Sequence, residues 1–281
     1  MRSFMRSLPL LFLIVFTVPA FAARQARPGM VNYVEGNVRL GPSPITPNQV
    51  GTACLNPGSI LSTRKGKAEV LLTPGVYLRV GSHSTVRMIS PDLTLTKVEL
   101  LRGRAAVEVD RIMPENDIQV LNNGVSTRLI NSGYYEFQDN PALLRVFSGK
   151  AQVPDGPHGE ILTVKGHHMV RLESGVAARS ISFNTRDAQD DLTRWSQLRS
   201  QYLADADQRF ARRYAGAYGY DPGWYWNPYG YGYAYLAPSP FWGPVGLGYS
   251  PWWGGGYWGG GFWGGGGYWG GGDFDDDDGG R

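Results

Sequence analysis

Few residues of this 281-residue chain have the type and spacing to do chemistry. The adjacent pair His167-His168 has metal-ligating and proton-carrying side chains. Neighbours on a strand point to opposite faces, however, and no further ligand stands at the spacing of a zinc site. Ser82-His83-Ser84 brings nucleophile and base types together in a predicted turn, with no motif around them to orient a reaction. Both sets read as turn or surface histidines. Asp273 and Asp275 to Asp278 offer the oxygen ligands that calcium takes, but a Gly-rich end lacks the fixed loop of a tight site, so weak counterion binding is expected. Cys54 is the only cysteine and reads as a small buried hydrophobe. No catalytic, metal or cofactor set is assigned, and the chain is expected not to be an enzyme.

The elements that would hold these residues are β-strands. From Met30 to Leu172 the chain runs in short alternating stretches separated by Gly, Pro, Asn and Asp. Ala68, Val70 and Leu72 share one face, with Lys67 and Glu69 on the other. After a turn at Pro74-Gly75, Val76, Leu78 and Val80 point inward and Tyr77 and Arg79 outward. Val107 and Val109 alternate with Glu108 and Asp110, and Leu144 and Val146 flank Arg145. Three Gly-centred units, at Gly36, Gly103 and Gly149, each read as a strand end, a Gly and the start of the next strand. The pattern predicts an all-β domain over 28–180, built as a two-sheet sandwich or a β-roll.

A helix is expected over 185–214, capped by Thr185 and favoured by Asp187, Asp190 and Asp191 near its positive end. Leu192, Trp195, Leu198, Tyr202 and Ala206 form its apolar stripe, which would dock on the β domain or pair with a copy of itself. Arg194, Arg199, Asp205 and Arg209 would face water. Residues 215–281 hold eight of the nine Trp among Gly, Tyr and Pro. That composition predicts a disordered tail with an acidic end. Trp224, Trp226 and the pairs Tyr257-Trp258, Phe262-Trp263 and Tyr268-Trp269 are its contact candidates, for stacking on glycan, lying at a membrane interface or self-association.

Arg2 and Arg6 before the apolar run Leu8 to Val18, with Ala20-Phe21-Ala22 behind it, read as a signal peptide over 1–22. Ala23 follows where a lipoprotein has Cys, so the expected location is periplasmic or secreted without that anchor. The formal charge of +3 asks for no polyanionic partner. Residues 215–281 carry six Asp and one Arg, a net of −5, so a mild, salt-sensitive attraction to the basic remainder is expected. The near absence of Lys and Arg in that segment speaks against nucleic acid.

Residues 30 to 180 resemble the periplasmic domain of the FecR family. The likeness rests on Asn56-Pro57-Gly58-Ser59-Ile60-Leu61-Ser62-Thr63, on the hairpin Lys67 to Val80 followed by Ser84-Thr85-Val86, and on Leu101-Arg102-Gly103-Arg104. Gly133-Tyr134-Tyr135-Glu136-Phe137 stands where the family has Gly-Thr-x-Phe, with Tyr134 in place of Thr and an extra Tyr135. Val146 to Val153 and Lys165-Gly166 complete the series. Family members that relay iron-siderophore signals carry a cytoplasmic segment and a membrane span before this domain, where this chain has the signal sequence. The expected function is an exported envelope binding or scaffold protein, with the FecR-like domain engaging a protein partner and the aromatic tail tethering or multimerising it, the partner being an envelope protein or glycan. The alternatives are a periplasmic component of a FecR-type relay working with a separate membrane protein, and, in a different class, an envelope hydrolase.

Overall fold

The computed structural model describes residues 27–214 apart from 74, 111 and 157, and beyond them the backbone of three short strands. The strands are β1 (Met30–Leu40), β2 (Ser43–Ile45), β3 (Ile60–Thr73), β4 (Val76–Val80), β5 (Thr85–Asp92), β6 (Leu95–Arg102), β7 (Arg104–Val109) and β8 (Ile118–Asn122). They continue as β9 (Val125–Leu129), β10 (Gly133–Asp139), β11 (Ala142–Ser148), β12 (Lys150–Asp155), β13 (Glu160–Lys165), β14 (His168–Arg171) and β15 (Ile181–Ser182). The domain is all-β, as the alternation predicts, and one helix, α1 (Asp191–Tyr214), follows it.

The layers belong to one continuous hydrogen-bonded sheet, not to two separate ones. Its order is β13-β12-β9-β8-β6-β5-β3-β4-β7-β10-β11-β14-β15, with β1 beside β3 and β2 beside β1. β6 and β8 run parallel and the other pairs antiparallel. The sheet wraps over itself, so that β10 lies against β6 and β8, and β13 against β11 and β14. A long bent strand makes this closure possible. β3 pairs with β5 through Ile60 to Ser62 and with β4 through Ala68 to Thr73. Between those stretches Gly66 faces Gly36 of β1, where the register slips. A Cβ on Gly66 would sit 2.4 Å from the Glu35 carbonyl oxygen, and one on Gly36 2.2 Å from that of Lys65, so the strands can approach only as glycines. Gly103 and Gly149 do link successive strands at φ 82° and 91°, whereas Gly36, at φ 64°, lies inside β1.

The inward residues read from the sequence, among them Val70, Leu78, Val107 and Val146, meet in one core. The other face of β3, β4, β7 and β10 differs from expectation. Glu69, Tyr77, Arg79, Glu108, Tyr134 and Glu136 are buried there, because α1 lies across them. The helix starts at Asp191, not at 185. Asp190 caps it: its Oδ1 accepts the Thr193 backbone N–H at 2.9 Å, and Arg104 pairs with its other oxygen. Residues 185–188 form turns ahead of that cap.

Within the aromatic segment, β16 (Gly223–Asn227), β17 (Gly232–Ala237) and β18 (Val245–Gly246) pair antiparallel, and their backbone runs beside α1. Regular structure therefore reaches into the first part of 215–281, in keeping with the strand preference of Trp and Tyr.

Candidate functional site

The most distinctive chemistry in the described residues is an ionic seam between the outer face of the sheet and α1. Strand register sets out its sheet half: Glu69 pairs with Arg79, Tyr77 with Glu108, Glu108 with Tyr134, and Glu136 with Arg145. Alternation puts these side chains on the face opposite the core. The helix half comes from Thr193, Ser196, Arg199, Ser200 and Leu203, spaced three and four apart and all buried.

Arg79 lies at its centre. Its Nε donates to Glu69 Oε2 at 3.0 Å, and its Nη1 contacts Glu108 Oε2. Nη1 also reaches the Ser196 carbonyl oxygen at 2.9 Å and Ser200 Oγ at 3.0 Å. Ser200 Oγ in turn lies 2.8 Å from Glu108 Oε2. Arg199 donates to Glu69 Oε1 at 3.2 Å and stacks over the Tyr33 ring at 4.3 Å, while Asn32 donates to the same oxygen at 2.7 Å. Tyr134 OH bonds Ser196 Oγ at 3.1 Å. Each of these buried charges is met by an opposite charge, as burial demands.

Ionisation follows these contacts. Burial pushes Glu69 up, but Arg199, Arg79 and the Asn32 bond outweigh it and hold the carboxyl below its ordinary value. Glu108 is held above it, because burial exceeds the help from Arg79 and Ser200. Burial, reinforced by Asp190, lifts Glu136 to about 7 against the pull of Arg145, Thr193 and Arg104. Glu136 Oε1 accepts from Arg145 at 2.9 Å, and its Oε2 lies 3.0 Å from Thr193 Oγ1, which is also 3.0 Å from Asp190 Oδ1. A protonated Glu136 can donate to Thr193, leaving the threonine hydroxyl proton for Asp190. An ionised Glu136 competes with Asp190 for that single proton.

The expected apolar stripe divides. Leu192 packs with Ala106, Tyr134 and Phe147, Trp195 lies against that cluster, and Ala206 is buried. Leu198 and Tyr202 instead stand 50% and 58% exposed, while Arg199, expected in water, is buried. The helix turns its small polar residues inward because the sheet face it covers is charged. Charged residues in register on β3, β4 and β7, with Thr and Ser at helical spacing, were the signal for this in the sequence.

The side chains of Trp224 and Trp226 on β16, and the whole of Tyr257, Trp258, Phe262, Trp263, Tyr268, Trp269, Asp273 and Asp275 to Asp278, lie outside the described residues. His83 and His167 occupy turns at φ 56° and 64°, and His168 Nδ1 sits 2.9 Å from the Gly166 carbonyl. Ser84 Oγ accepts the Arg104 N–H at 2.9 Å and Ser82 Oγ donates to the Gly66 carbonyl, so both serines hold strand connections. Cys54 packs by Met30, Leu71 and Tyr77, and burial raises its thiol against the influence of Arg27. Among the described residues no group of three or more His, Cys, Asp and Glu could hold a metal ion. Nor is any helix there long and apolar enough to cross a membrane.

No protein-family model matches the chain, and no curated protein matches it. Two crystal structures of a proposed anti-sigma factor from Parabacteroides distasonis, at 1.65 Å and 2.50 Å, are similar to it. Both share 15% identity, with TM-scores of 0.40 and 0.39 over 49% and 48% of this chain. The chain spans 64% and 62% of the length of those neighbours.

Proposed function

We propose that this chain is an exported binding or scaffold protein of the bacterial cell envelope. In this reading a FecR-like β domain engages a protein partner through the outward side of α1, and the aromatic segment tethers or multimerises the molecule. One observation carries it: α1 buries polar groups against the sheet and leaves Leu198 and Tyr202 on successive turns in water. Neighbouring large apolar groups on a surface mark a contact face. The seam fixes which side faces out, since each buried charge has its partner in one helix rotation only.

The test is fractionation of intact envelopes. Leu198→Ser with Tyr202→Ser should release the protein from its complexes while its thermal midpoint stays within a degree or two, because exposed positions contribute little to folding. Retention of the variant in those complexes at the level of the unaltered protein would refute the reading.

A further inference from the structure

A second feature is a groove lined by strand and turn residues and none from α1. Arg39 on β1, Arg64 on β3 and Arg102 on β6, with His83 between β4 and β5, line an open groove of ≈ 720 Å³. Ser62, Thr63 and Thr85 are among its other walls, and no carboxylate lines it. Four arginines elsewhere on the sheet are matched to acids: Arg87 with Glu99, Arg104 with Asp190, Arg128 with Asp117 and Arg145 with Glu136. Among the described residues, the Arg39 side chain reaches only the Pro42 carbonyl. The Arg64 and Arg102 side chains are exposed and have no ion pair or hydrogen bond among the described residues. Three guanidiniums converging without a counter-charge suit a ligand that presents several carboxylates along a strand.

We propose that this groove binds the aspartate-rich end of the same molecule, Asp273 and Asp275 to Asp278. Charge matches: five carboxylates fall within six residues there, in a segment of net −5. Reach also suffices. The 58 residues from 215 to 272 separate α1 from Asp273, and a chain of that length covers about 40 Å even without full extension. Each exposed Arg–Asp pair is weak, so affinity comes from several together and falls with salt. Tethering supplies roughly millimolar effective concentration, enough to occupy a site of modest intrinsic affinity. The inference stands on residues separate from α1, so it survives or fails independently of the proposed function.

The test uses the full chain with Asp273→Asn and the four changes Asp275→Asn to Asp278→Asn, which leaves the groove free. A fluorescent peptide of residues 271–281 is titrated against it and followed by anisotropy. Saturable binding is expected, weakened about tenfold or more when salt rises from about 20 to about 300 mM. Arg64→Gln with Arg102→Gln should lower the affinity at least tenfold with an unmoved thermal midpoint. The unaltered chain should bind the peptide more weakly, since its own end competes. Absence of saturable binding, equal binding by the Arg64→Gln, Arg102→Gln variant, or equal binding of an all-Asn peptide would overturn the proposal. So would binding of inorganic polyphosphate without the peptide, which would make the groove a phosphate site.

Discussion

Arg79 touches Glu69, Glu108, Ser196 and Ser200, so four groups lose a partner when it is removed. Arg79→Met should cost about 3–5 kcal/mol, the range for breaking one side of a buried ion pair. Arg79→Met combined with Glu108→Leu should cost less than the two single changes added together, and denaturant unfolding of the four species measures that coupling. Glu136 gives the protein a pH dependence of a particular sign. Its folded pKa of about 7 lies above the ordinary 4.5, so the folded state holds the proton more tightly. Its contribution is therefore full below pH 4.5 and lost as pH rises through 7, by at most about 3 kcal/mol. Glu136→Gln keeps an acceptor for Arg145 and a donor for Thr193. Stability of that variant should fall less steeply over this window, the remaining slope coming from Glu108, whose pKa is also raised, and should exceed that of the unaltered protein at pH 8. An unchanged slope would mean that Glu136 does not contribute to it. Glu69 works in the opposite sense, its stabilisation being lost as pH falls through its lowered pKa.

β4 shows what could be read from sequence and what could not. Val76, Leu78 and Val80 were legible as core because their alternation alone says which side is apolar. Leu78→Asp buries an unpaired charge there and should unfold the domain, seen as loss of the cooperative thermal transition. Arg79 and Tyr77, on the same strand, are buried although alternation alone points them outward, because a polar strand face signals water unless a covering layer is known. The stripe error on α1 has the same origin. Leu198 and Tyr202 satisfied the helical period, yet the sheet face beneath is ionic and selects Ser196, Arg199 and Ser200. Thr185 was a chemically sound cap, but Asp190 wins through its reciprocal bonds with Thr193 and its pairing with Arg104. Truncation at 180 uncovers Glu69, Arg79, Glu108 and Glu136, so a 27–180 fragment should melt lower than a 27–214 fragment. Equal midpoints would show that the helix adds nothing to the fold.

In the whole molecule, a rolled sheet carries a fixed helix, and the helix leads into the aromatic segment. If the pairs Tyr257-Trp258, Phe262-Trp263 and Tyr268-Trp269 tether the protein, changing one pair to Ser should alter little. Changing all three should shift the protein out of the envelope fraction or into smaller assemblies, because weak tethered contacts add through effective concentration. The thermal midpoint of the β domain should stay put. Processing after Ala22 predicts Ala23 as the mature N-terminus by mass spectrometry, and the intact Met1 start in envelope fractions would contradict export by that route. The proposed contact through α1 can be tested most directly by photo-crosslinking in intact cells, with the reactive residue placed in turn at positions 198, 202 and 161. Ile161, on β13, is 65% exposed and lies apart from α1, which makes it the control. Positions 198 and 202 should both yield the same discrete crosslinked species, and position 161 should not. If 198 and 202 give no intermolecular product, or one indistinguishable from that at 161, the outward side of α1 is not a binding face.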